Sequence, residues 1–153
     1  MVDVSAKEKT ARVAVATGRV RMSKQALERI RRGAVEKGDV LAAARLAGVI
    51  AAKKTPDLIP LCHPISLAGV TVDVTPAHGS VEIRAEVKTV ERTGVEMEAL
   101  TAVSAAALTV YDMLKSTDRG MVIDQIQLEH KSGGKSGTWE RQPMPGSQRR
   151  KPA

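Results

Sequence analysis

The chain has 153 residues, is 42% hydrophobic and contains one tryptophan, one tyrosine and no phenylalanine, so it suits one domain with an aliphatic core. Its single cysteine excludes an internal disulfide, and the lack of a charged-then-apolar leader and of long apolar runs favours a soluble protein of the reducing cytoplasm, with no membrane segment. The net charge of +7 is concentrated late in the chain, because residues from Lys131 onward hold six basic side chains against Glu140 alone.

The first part of the chain predicts a strand followed by a helix. Valines alternate with other residues over positions 11–22, which is typical of a strand, and we expect Gly18 to interrupt it. Ser23 is a favourable N-cap for a helix that stops at Gly33.

The rest of the chain adds two helices and three strands. In order, they are a helix capped by Asp39 that ends before Pro56, strands over 66–76 and 80–90, a long helix over 94–116 and a last strand over 121–131. The strand over 80–90 alternates apolar and charged residues, as a sheet with one solvated face requires. The order β-α-α-β-β-α-β predicts an α+β fold in which helices cover an antiparallel or mixed sheet.

The long helix carries charged residues at both ends. Glu96 and Glu98 begin it, where carboxylates also stabilise a helix simply by favouring the positive end of its dipole. Near the other end, Asp112 and Lys115 are three residues apart and can form an ion pair. The stretch between is small and apolar, which predicts burial on several sides, and charged groups on a buried helix are usually paired or functional. Glu98 and Asp112 share a face but lie about 21 Å apart along the axis, so they cannot both touch one atom.

The segment "LIPLCHPI" (58–65) places Cys62 beside His63 between two prolines. A structural zinc site is disfavoured, because the chain has only one cysteine and three histidines and none forms a paired motif. A catalytic thiol needs a base aimed at the sulfur, whereas adjacent side chains on an extended chain point apart. A buried cysteine beside a hydrogen-bonded histidine in a stiff loop is the simpler interpretation.

Basic residues elsewhere are less distinctive. The stretch "KSGGKSG" (131–137) has the composition of a phosphate-binding loop but lacks the Walker spacing, and a flexible linker is the alternative. Lys37 and Arg12, taken singly, are ordinary solvated charges.

Four stretches taken together resemble a known enzyme family. They are "MVDVSAK" (1–7), "KGDVLAAARLAGVIAAKKTPDLIPLCHPI" (37–65), "GVEMEALTAVSAAALTVYDMLK" (94–115) and "KSGGKSG" (131–137), and they closely resemble the cyclic pyranopterin monophosphate synthase family of molybdenum cofactor biosynthesis. The likeness covers nearly the whole chain to about residue 137. It therefore implies a single catalytic domain over residues 1–137. The stretch 138–153 is rich in proline, glycine, glutamine and arginine without periodicity, which predicts a flexible basic C-terminal tail.

The resemblance also implies an architecture and a reaction. The expected subunit is a ferredoxin-like α+β domain in a homohexamer, a trimer of dimers with active sites at subunit interfaces. The expected reaction is a lyase rearrangement that converts 3′,8-cyclo-7,8-dihydro-GTP to cyclic pyranopterin monophosphate and releases pyrophosphate. No metal or organic cofactor is expected.

Site residues follow from the resemblance position by position. The catalytic positions correspond to Asp112, Lys115, Lys37 and Lys131. The substrate-contacting positions correspond to Leu61, Cys62, His63, Met97, Glu98 and Arg12, to which we add Glu96 and Lys135. A triphosphate needs several cations, and repeated proton transfers suit a partly buried Asp and Lys. We expect Glu98 to accept the N–H groups of the pterin end and His63 to bind phosphate or ribose.

A small basic RNA- or nucleotide-binding module without chemistry is the alternative. The charge of +7 and the Gly/Lys loop favour it. Against it, residues 1–130 keep only +2 of that charge, because the segment from Lys131 onward holds +5, and the chain lacks aromatic platforms for bases. We therefore expect a small-molecule substrate and no nucleic-acid partner.

Overall fold

Nine elements follow one another in the computed structural model, which describes residues 1–144. They are β1 (Thr10–Arg21), α1 (Lys24–Arg31), α2 (Val40–Lys53), α3 (Thr55–Leu58), β2 (Gly69–Pro76), β3 (Ser80–Glu91), α4 (Glu96–Leu114), β4 (Val122–Ser132) and β5 (Trp139–Glu140). The strands form one sheet in the order β2-β3-β1-β4-β5, and every neighbouring pair is antiparallel. With α2 and α4 packed on this sheet, the predicted ferredoxin-like α+β fold is confirmed.

Both predicted N-caps are present. The Ser23 hydroxyl accepts a hydrogen bond from the Ala26 N–H at 3.1 Å, and Asp39 Oδ1 accepts one from the Ala42 N–H at 3.0 Å. Each cap satisfies a backbone donor that the first turn of a helix leaves unpaired. The turn between α1 and α2 is thereby fixed, and Lys37 lies in it.

The expected interruption at Gly18 is wrong. β1 runs without a break from Thr10 to Arg21, although its pairing with β4 shifts register between Thr17 and Arg19. A Cβ atom at Gly18 would lie 2.6 Å from Val103 Cγ1 of α4 and 3.1 Å from Ile126 Cγ1 of β4. The glycine therefore serves close packing of the long helix on the sheet rather than a chain break.

The core lies between the sheet and α4. Alanines of the helix such as Ala102 and Ala106 are fully buried, and so are Ala16 and Ala85 of the facing strands. Small residues on both sides let the helix backbone approach the sheet closely. The expectation of burial on several sides is only partly met, because Leu108 on α4 is 62% exposed.

The long helix is the one element in residues 1–144 that bears on the expectation about membrane segments. By length and composition alone α4 could cross a membrane, although Glu98, a serine and two threonines interrupt its apolar residues. Half of it is buried inside the chain, as is common for the core helix of a soluble protein.

The sheet extends past the predicted domain boundary at residue 137. Trp139 and Glu140 pair with β4, and the Arg141 N–H donates to the Glu129 carbonyl at 2.9 Å. The start of the predicted flexible tail, 138–153, therefore includes a short edge strand. Residues 145–153 of that tail lie outside the described residues.

Candidate active site

Three charged side chains meet at the C-terminal end of α4, and we name them the aspartate–lysine cluster. Lys37 Nζ lies 2.7 Å from Asp112 Oδ2, and Lys115 Nζ lies 2.8 Å from Asp112 Oδ1. Hydrogen bonds from Lys115 and then Lys37 lower the pKa of Asp112 to about 2, so its carboxylate is ionised at neutral pH. The predicted contact of Asp112 with Lys115 is present. Asp112 and Lys115 are less buried than predicted, because 51% of the Asp112 side chain and 53% of the Lys115 side chain are exposed.

A second pair of polar groups lies at the N-terminal end of α4. Glu98 is only 2% exposed, and its Oε1 accepts a hydrogen bond from the Cys62 thiol, with 3.6 Å between Sγ and Oε1. Burial raises the pKa of Glu98. Burial and the nearby Glu98 carboxylate raise the pKa of Cys62 to about 11. The thiol is therefore protonated at neutral pH and is a poor nucleophile, although a carboxyl group does face it.

His63 points in another direction from Cys62, as expected for neighbours on an extended chain. Its Nε2 atom lies 2.6 Å from the Val2 carbonyl oxygen, so the N-terminal segment is tied to this loop. The loop itself is held by Thr89, whose hydroxyl donates to the Ser66 carbonyl at 2.5 Å. Leu61, which precedes Cys62 and His63 in the chain, is exposed.

The glycine-rich stretch 131–137 is a folded loop rather than a flexible linker. Lys131 Nζ donates to the Gly133 carbonyl at 3.2 Å and also contacts the Ser136 hydroxyl. Gly133 and Gly134 both have positive φ, and a Cβ atom at Gly134 would lie 2.2 Å from Arg12 Nη1. Glycine is required here because both residues have positive φ, and a Cβ atom at Gly133 would also lie 2.2 Å from the Ala11 carbonyl oxygen.

A cleft of about 640 Å³ opens between the N-terminal segment and this loop. Arg12, Lys135 and Lys7 line it, together with the hydroxyl-bearing Thr10 and Ser136. Glu8 adds one carboxylate to the lining, so the three cations leave it with a net positive charge, which fits an anionic ligand such as a phosphate. Sequence reasoning missed Lys7, although it is the last residue of the quoted motif "MVDVSAK" and that position could have revealed it.

The predicted site residues therefore form two groups in one chain. β3 ends beside the start of β1, and α4 begins five residues later, so the Cys62–Glu98 pair and the Arg12 cleft share one end of the sheet. The aspartate–lysine cluster lies at the other end of α4, about 21 Å farther along its axis from Glu98 to Asp112. Met97 and Glu96 belong with the first group, in the first turn of the helix.

The sequence model described as the MoaC family matches residues 1–134 of the chain. The chain belongs to the MoaC family. Three curated relatives carry the name cyclic pyranopterin monophosphate synthase. The protein from Thermomicrobium roseum is 61% identical over 144 residues, 93% of this chain and 87% of that protein. The protein from Streptomyces avermitilis is 60% identical over 141 residues, 92% and 83% of the two chains, and that from Heliobacterium modesticaldum is 59% identical over 144 residues, 93% and 91%.

Membership of the MoaC family confirms the resemblance drawn from the sequence motifs. The family match includes both groups of site residues, from Lys7 in the cleft to Lys131 at the end of β4. Lys135 lies one residue beyond the matched range. Within residues 1–144, no three His, Cys, Asp or Glu side chains gather closely enough to hold a metal ion.

Proposed function

We propose that this chain is a cyclic pyranopterin monophosphate synthase. It converts 3′,8-cyclo-7,8-dihydro-GTP to cyclic pyranopterin monophosphate and releases pyrophosphate, in molybdenum cofactor biosynthesis. The observation that carries the proposal is the identity of about 60% to relatives of that name over more than nine tenths of the chain. The two groups of polar residues then have different tasks, triphosphate binding and proton transfer.

The cleft at the start of the sheet suits the triphosphate of this substrate. Arg12, Lys7 and Lys135 outnumber the single carboxylate of Glu8 in its lining. The Arg12 guanidinium is held by hydrogen bonds from Nε and Nη2 to the Glu91 and Arg92 carbonyls, and its remaining N–H groups can bind phosphate oxygens. Release of pyrophosphate removes negative charge that these cations bind.

The aspartate–lysine cluster suits the proton transfers. Asp112 stays ionised and holds two ammonium groups within 2.8 Å of its oxygens, which fixes their positions in an exposed site. Lys115 and Lys37 then donate protons to the rearranging ring system or accept them from it. Their partner Asp112 accepts hydrogen bonds and balances one of the two positive charges.

A second copy of the chain unites the two groups, in a homohexamer built as a trimer of dimers. The separation of Glu98 from Asp112 along α4, about 21 Å, supports this arrangement, because one small substrate cannot reach both ends of the helix. Exposed apolar residues on the two long helices also support an interface: Leu46 and Ile50 on α2 and Leu108 on α4 are each at least 50% exposed. The hexamer works in the cytoplasm.

The test is release of pyrophosphate from the purified cyclised GTP derivative. We expect one pyrophosphate for each pyranopterin formed, with no reaction when GTP itself is supplied. Binding to mixed oligonucleotides is measured in parallel at several salt concentrations. Strong salt-dependent binding without pyrophosphate release would instead favour the nucleic-acid module.

A further inference from the structure

Cys62 and Glu98 belong to two separate stretches of the chain that we expect to contact substrate. The structure brings their side chains into contact. The thiol has two acceptors within reach, Glu98 Oε1 at 3.6 Å and the His63 carbonyl oxygen at 3.8 Å. With its pKa raised to about 11, Cys62 keeps its proton and donates it. A thiol in this state orients an acceptor rather than attacking a substrate.

The second oxygen of Glu98 has no partner. Its Oε2 atom is buried and accepts no hydrogen bond from any described residue. A buried polar atom without a partner costs free energy, so such an atom in a folded protein needs an explanation. Leu61 and Met97, the chain neighbours of Cys62 and Glu98, are 69% and 38% exposed, which places the pair just beneath the surface.

We propose that Cys62 is a positioning residue for Glu98: its thiol holds Oε1 and leaves Oε2 as the carboxyl oxygen that receives an N–H group of the substrate. This inference rests on the proposed function. It gives the only cysteine a structural task in substrate binding that needs neither a metal nor a thiolate. It also explains why a carboxyl group is buried with one oxygen satisfied and the other free.

The contact can be tested without substrate by the infrared S–H stretching band. The chain has one cysteine, so the band belongs to Cys62 alone. Replacing Glu98 with methionine, which has a similar length but no oxygen acceptor, is expected to move the band toward that of a free thiol. Glu96→Met, two positions away in the same turn, is the matched control and leaves the band in place. An unmoved band in Glu98→Met would assign the thiol proton to the His63 carbonyl and overturn the proposal.

Kinetics test whether the contact acts on substrate binding. Cys62→Ala removes the donor, and KM is expected to rise about three- to tenfold with kcat nearly unchanged, the pattern of lost uniform binding. Cys62→Ser keeps a donor and is expected to retain a KM within about twofold of the wild type. Equal losses in the serine and alanine variants, or a fall in kcat with KM unmoved, would overturn the positioning role.

The two tests separate this inference from the proposed function. A wild-type protein that releases no pyrophosphate refutes the proposed function, and the substrate-positioning role falls with it, whatever the S–H band shows. If the wild type is active but the S–H band does not move in Glu98→Met, the positioning role alone is refuted.

Discussion

Asp112 accepts hydrogen bonds from two lysines, and this environment separates it from the ordinary ion pairs on the surface. Lys54 and Asp57 form such a pair at the same spacing of three residues, with 4.0 Å between Nζ and Oδ2. A pair of that kind contributes little to stability and holds its side chains loosely. Asp112 instead orients two donors at 2.7 and 2.8 Å. Under the proposed function, these two donors serve the proton transfers.

Asp112→Asn is expected to leave the protein folded and to lower kcat by at least about 100-fold, because the two ammonium groups lose the charge that orients them. Steady-state pyrophosphate release measures the loss, and circular dichroism checks the fold. Asp57→Asn is the matched control and keeps full turnover. Activity within a few-fold of the wild type in Asp112→Asn would remove the cluster from the mechanism.

Glu98 and Asp112 make opposite contributions to the pH dependence of stability. The pKa of Asp112 is lowered, so its contribution is present above the unfolded value of 3.8 and is lost as pH falls toward 2. The pKa of Glu98 is raised, so its contribution is fully present below the unfolded value of 4.5 and is lost as pH rises through the folded value. We therefore expect Tm of Glu98→Gln, relative to the wild type, to increase as pH rises from 4.5 to neutrality. Thermal unfolding at a series of pH values measures this difference, and a constant difference would contradict it.

At the scale of elements, local sequence signals were enough to predict where the capped helices begin and where the strands with alternating apolar and polar residues lie. Ser23 and Asp39 cap their helices as predicted, and strands β2 and β3 lie close to the predicted ranges. Gly18 was misread because the atoms that require a glycine there, on Val103 and Ile126, are distant in sequence. The edge strand at Trp139 was missed because two residues carry no periodic pattern.

The packing of α4 on β1 can be tested at the same glycine. Gly18→Ala is expected to destabilise the fold by about 1–3 kcal/mol, because its Cβ would lie 2.6 Å from Val103 Cγ1. Adding Val103→Ala removes that atom, so the double variant should be more stable than the sum of the two single changes predicts. Denaturant unfolding gives these free energies. Gly69→Ala on β2 is the control, since nothing lies within 4 Å of its added Cβ.

At the scale of the whole molecule, the sequence predicted candidate site residues but not which of them lie close together. The motifs indicated Lys37, Asp112 and Lys115, and the structure brings these three together. Helix geometry also separated Glu98 from Asp112 along α4, but the sequence could not place Arg12 at the Glu98 end of the helix, because β1 and α4 are distant in sequence. The helix length decides this separation, at about 1.5 Å per residue.

Mixing two inactive variants tests whether sites are built from two copies. Glu98→Ala and Asp112→Asn, unfolded and refolded together, should recover about a quarter of wild-type activity if two copies share each site, because half of the random pairs are mixed and each has one intact site of two. Sites built within one chain would recover nothing. Each variant refolded alone is the control for residual turnover.

The edge strand β5 has a spectroscopic consequence. Trp139 is the only tryptophan, it is 42% exposed, and the Arg141 guanidinium lies 5.6 Å from the centre of its ring. Intrinsic tryptophan fluorescence therefore reports the pairing of this short strand with β4 and is nearly insensitive to changes in the alanine-rich core. Circular dichroism follows the helices instead. We expect fluorescence to change at lower denaturant concentration than ellipticity, because a two-residue strand at a sheet edge opens before the core does.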